Sequence, residues 1–134
     1  MARAIRAGVL YFLIVFAIGF VLGTFRVLVL VLLPRVGELV AVLIETPVIL
    51  TACWVVSGGL LRRIPVRAVA ADRLLMGGLA LGLLLLAEVA LSTLLFGRSM
   101  AEHLAHYATL AGALGLAGQG VFGAMPLIRL RLGG

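Results

Sequence analysis

Apolar residues run through this chain in four long blocks, separated by short stretches where arginine, proline, glycine and acidic residues gather. The blocks extend from about Gly8 to Leu33, Leu39 to Leu61, Leu74 to Phe96 and Tyr107 to Ile128. Each has the roughly 20 residues that a helix rising about 1.5 Å per residue needs to cross a hydrocarbon layer of about 30 Å. A spanning β-barrel would need apolar and polar positions in alternation, and the unbroken run from Val27 to Leu33 lacks it. The expected fold is all-α: a polytopic membrane protein over residues 1–134, with four transmembrane helices forming two hairpins in one bundle.

Composition agrees with that pattern. With 64% hydrophobic and 12% charged residues, the chain carries far more apolar surface than a soluble domain of 134 residues could bury. A net charge of +6 would suit a nucleic-acid binder only if it clustered on a soluble face. Here the arginines punctuate apolar runs, so the expected partner is the lipid bilayer and not nucleic acid.

Their distribution sets an orientation. Arg3, Arg6, Arg62, Arg63, Arg67, Arg73, Arg129 and Arg131 fall on one side, against Arg35 and Arg98 on the other. Basic residues in short loops are retained in the cytoplasm, so both termini and the middle loop are expected there, N-in and C-in. The first block is too long for a cleaved leader and ends at Pro34-Arg35; it is read as a retained anchor.

Three charges break the apolar blocks. Arg26 and Glu45 lie nine or ten residues on either side of the turn near Arg35-Val36, and Glu88 lies nine before Gly97. All three therefore sit roughly 14 Å below one surface. An ionised group at such depth costs about 2.5–3.5 kcal/mol on insertion scales, which predicts that the three face one another, Arg26 forking to two carboxylates. Gln119, near the middle of the fourth block, joins this polar cluster as an interhelical donor. The set reads as a structural ion-pair network, as a proton or ion pathway, or as a head-group site.

Helical spacing places Phe12, Phe16, Gly19, Gly23 and Arg26 on one stripe, so Gly19 and Gly23 are expected to admit a neighbouring backbone. Gly112 and Gly115 give the fourth helix a comparable small-residue face, a docking surface for a second copy or a membrane-protein partner. Pro47 removes the amide that would bond the Leu43 carbonyl, which predicts a kink or break beside Glu45. Ser99 can cap a short segment carrying Glu102, His103 and His106, which reads as interfacial and solvated.

Chemistry is mostly missing. Two histidines one turn apart are too few ligands to define a metal site, and the single Cys53 forms neither an intrachain disulfide nor a cysteine-built metal centre. There is no phosphate loop, nucleophile elbow or triad, so no cofactor and no enzymatic activity are expected.

The stretch Gly19-Phe-Val-Leu-Gly23-Thr-Phe-Arg26-Val, followed by Pro34-Arg35-Val-Gly37-Glu38 and Glu45-Thr-Pro47, resembles a family of small, uncharacterised bacterial inner-membrane proteins with four predicted helices. The resemblance covers residues 8–50. It implies a bacterial inner-membrane location and weight on the first-hairpin residues, with no assigned activity. The expected function is therefore a structural or accessory membrane component built round the Arg-Glu-Glu network. The alternative is a small oligomeric proton- or cation-coupled transporter or channel using Glu45 and Glu88.

Overall fold

A computed structural model describes residues 2–35, 37–95, 97 and 99–132, with the side chains of Leu95 and Ala111 left undescribed. Helix α1 spans Ala2–Leu32, α2 Glu38–Arg63, α3 Ala70–Ala90, α4 Met100–His106 and α5 Leu110–Arg131, and a π-helical turn at Leu91–Leu95 extends α3. Four of these, α1, α2, α3 with its π turn, and α5 from Gly112, are long and apolar enough to cross a membrane. The chain is a multi-pass membrane protein by that measure, with no strand among the described residues.

Element ends differ from expectation by a few residues. Helix α1 starts at Ala2, because Ala4, Ala7 and Gly8 are buried and nothing in Ala-Arg-Ala breaks a helix. Helix α3 starts at Ala70, with Asp72 in its first turn on the favourable side of the helix dipole. Expectations placed on Val36, Phe96 and Arg98 fall outside the described residues.

At the first turn Pro34 and Arg35 reverse the chain, and Gly37 takes a φ of 77° that a side chain would resist, opening α2. The second turn holds α4. Ser99 caps α4 by accepting from the Glu102 amide at 3.1 Å, and its hydroxyl donates to the Glu102 carboxylate at 3.3 Å. Thr109 then caps α5 by accepting from the Gly112 amide at 3.0 Å.

The four spanning helices form a ring in which α1 packs on α2 and α3, and α5 packs on the same two. Hence α1 and α3 run parallel, as do α2 and α5. Packing is tight in the half nearest the chain termini, where Ala4, Ala7, Tyr11, Cys53, Met76, Ala80 and Phe122 share one buried cluster. A β-carbon on Gly77 would overlap the Gly123 carbonyl, and one on Gly8 would come within 2.7 Å of the Met76 carbonyl. These glycines let α5 and α1 close on α3.

Prolines act differently in the two returning helices. Pro126 in α5 is fully buried and cannot donate to the Phe122 carbonyl; the Tyr11 hydroxyl donates to that oxygen instead, at 2.8 Å. Pro47 in α2 is exposed, as is Leu43 one turn earlier, so the carbonyl it frees lies on the outward face. The expected break beside Glu45 is not present, since α2 continues as a helix through Pro47.

Arginines secure the terminal end. Arg73 Nη1 donates to the Pro126 carbonyl at 3.0 Å. Arg129 lies 3.8 Å above the Trp54 ring and donates from Nε to Ser57 Oγ at 3.1 Å. Outward faces carry Phe25, Val31, Ile44, Leu86 and Leu94, all exposed and suited to acyl chains.

Candidate functional site

Beyond Val15 no described residue of α1 is buried, and the helices separate toward the end that carries the turns. The separation leaves a cavity of about 870 Å³ lined by α1, α2, α3 and α5 and roofed by α4. Arg26, Glu45, Glu88 and Gln119 all face it, with Glu38, Ser92, His103, His106 and Tyr107. Most of the remaining lining is apolar, from Phe16 and Phe20 on α1 to Leu84, Leu116 and Phe122.

Arg26 Nη1 and Glu45 Oε2 pair at 2.8 Å. Their side chains keep 33% and 18% of their exposure, so the pair faces accessible space instead of being sealed by packing. Arg26 does not fork to a second acid. Glu88 has neutral partners: Tyr107 donates to its Oε2 at 3.1 Å, and the Gln119 amide donates to its Oε1. Helix α1 lies next to both α2 and α3, but each Glu88 oxygen already accepts from the α5 side, from Tyr107 and from Gln119, so Arg26 turns to Glu45 across the first turn.

The α4 segment completes the roof. His106 Nε2 and Glu38 Oε1 are 2.7 Å apart, tying α4 to the start of α2. His103 is not a solvated side chain but is 8% exposed, with its Nε2 3.2 Å from the Tyr107 hydroxyl. As Tyr107 gives its proton toward Glu88, its oxygen is free to accept from His103. The result is one hydrogen-bonded line from His103 through Tyr107 and Glu88 to Gln119. Burial and the neighbouring Glu88 carboxylate push the Tyr107 phenol up to about 12, so it remains a proton donor throughout the physiological range.

The glycine expectations need correction. A β-carbon on Gly19 or Gly115 would meet nothing within 4 Å, and one on Gly23 only the Arg26 guanidinium at 3.9 Å. All three line the cavity, because α1 and α5 have already diverged there. Gly112 is a close approach, but its neighbour is the His106 carbonyl of the preceding turn. Gly112 and Gly115 thus serve the interior of the bundle and form no outward docking face.

The sequence presents Tyr107 only as the start of the fourth apolar block, whereas its hydroxyl bonds Glu88. Ser92 was likewise passed over. It follows Glu88 by four residues, one turn along the same helix face, and that spacing was a legible signal. His103 and His106 turn to different partners, and the described residues contain no group of three or more metal-ligating side chains. The chain matches no family model, no curated protein and no solved structure.

Proposed function

We propose that this protein is a small, non-enzymatic carrier of the bacterial inner membrane, coupled to protons or cations, with Glu88 as its working acid. The carrying observation is the cavity itself. A structural ion network gains stability in a low dielectric only when it is packed and fully satisfied, and protein interiors contain few voids larger than a water molecule. A space of about 870 Å³ bordered by half-exposed charges instead has the size and mixed lining of a small-molecule site.

Glu45 is neutralised by Arg26, which leaves Glu88 free to exchange its charge. The line from His103 through Tyr107 supplies it with a proton route from the roof. The eight arginines at the terminal end support cytoplasmic termini, so that the cavity would open toward the outer face. The structural-accessory reading predicts no flux.

Reconstituted liposomes decide between the two. With a pH gradient imposed, the carrier should move protons in a manner lost in Glu88→Gln and reduced in Glu45→Gln. Unchanged permeability in all three proteins, with the variants merely less stable, would overturn the reading.

A further inference from the structure

Among the described residues, two polar atoms in the cavity wall have no partner. Ser92 is 5% exposed and its hydroxyl makes no hydrogen bond, and Gln119, with its amide nitrogen committed to Glu88, leaves its carbonyl oxygen unbonded and buried. Leaving such a group unmade costs about 1–3 kcal/mol each, so two in one wall point to something that satisfies them. The Gln119 atom is an acceptor only, and the serine oxygen has two lone pairs.

Beside them stands Glu88. A carboxylate offers about four lone-pair directions, and Tyr107 and Gln119 use one on each oxygen, so both oxygens can accept again. Among the described residues the lining sets one arginine, Arg26, against three acidic side chains, Glu38, Glu45 and Glu88. This wall therefore presents acceptors and negative charge, while most of the remaining lining is apolar.

We propose that the cavity takes an organic ammonium, a cation with N–H donors on an apolar body, its head group held by Glu88, Gln119 and Ser92. The assignment deepens the carrier reading and rests on it for any role in transport. An ammonium has three donors in a compact group, matching one acceptor from each of these side chains. The apolar body lies along Phe16, Leu84 and Phe122. A quaternary ammonium has the same charge but no donor, and it would leave Ser92 and Gln119 unsatisfied.

The test uses the full chain in detergent micelles and two probes, 2-phenylethylammonium and its N,N,N-trimethyl analogue, titrated calorimetrically at neutral pH. The wild type should prefer the primary ammonium by about tenfold or more, the equivalent of one hydrogen bond to a charged donor. Ser92→Ala should narrow that preference, and Glu88→Gln should weaken both probes. Equal affinities for the two probes, or binding of neither by folded protein, would overturn the proposal. Ammonium binding without proton flux in liposomes would sink the carrier reading alone, whereas Glu88-dependent flux without ammonium binding would sink only the ligand class.

Discussion

Replacing Tyr11 with Phe removes a single hydroxyl from the tightest part of the bundle. The ring stays, so its stacking on Phe122, with centroids 4.3 Å apart, is retained. What is lost is the 2.8 Å bond to the Phe122 carbonyl, an oxygen that Pro126 has already deprived of its helical amide. Hydrogen bonds between transmembrane helices average about 0.6 kcal/mol with a maximum near 1.7, low values reflecting groups that find another partner. This carbonyl has no such fallback, and an unsatisfied buried acceptor costs about 1–3 kcal/mol. The expected loss is about 1.5 kcal/mol, roughly tenfold in the unfolding equilibrium. In a Pro126→Ala background the new amide can bond the same carbonyl, so Tyr11→Phe should then cost under about 0.5 kcal/mol. The four proteins form a double-mutant cycle, read as unfolding in mixed micelles by the fluorescence of Trp54. Equal costs in both backgrounds would show that the hydroxyl does not replace the missing amide.

Gly77→Ala should cost more than about 2 kcal/mol, since its methyl meets the Gly123 backbone and forces α3 from α5, whereas Gly19→Ala, facing open cavity, should stay within about 0.5 kcal/mol. Thermal unfolding in detergent compares them, and equal losses would contradict the packing described. Tyr107 gives a pH prediction. Because its phenol is raised from 10.0 to about 12, the fold holds its proton more tightly than the unfolded chain does. That contribution is complete below about pH 10 and is lost as pH rises to about 12. Stability should therefore fall more steeply over this window in the wild type than in Tyr107→Phe. The Tyr107 phenolate absorbance, taken as the difference between the two proteins, should be almost absent at pH 10; a half-maximal signal there, as from an unperturbed phenol, would refute the burial argument.

Four spanning helices, their antiparallel order and the turn at Pro34-Gly37 follow from sequence, because hydropathy and helix breakers act locally and lipid leaves the backbone no other way to satisfy itself. The Arg26–Glu45 pair was within reach for a similar reason. Two charges equally spaced about one tight turn are brought level by helix rise alone. Ser99 as the cap of α4 was equally local, requiring only its own amide neighbours.

Partner choice across the bundle was not local. Periodicity puts Gly19, Gly23 and Arg26 on one face, but it does not say whether a neighbouring helix or a cavity lies opposite. The close approaches turned out to be at Gly8, Gly77 and Gly123, where α1 and α5 press on α3. Depth assigns Glu88 to Arg26, yet α5 packs on α3 as closely as α1 does, and Gln119 and Tyr107 from that side take Glu88 instead. The sequence by itself determined where the chain meets lipid and at what height its charges lie, since both depend on distance along one helix. Only the tertiary structure decided which charges meet, and that the helices part to leave a cavity among them, since both depend on the spacing and order of helices that are not joined to one another.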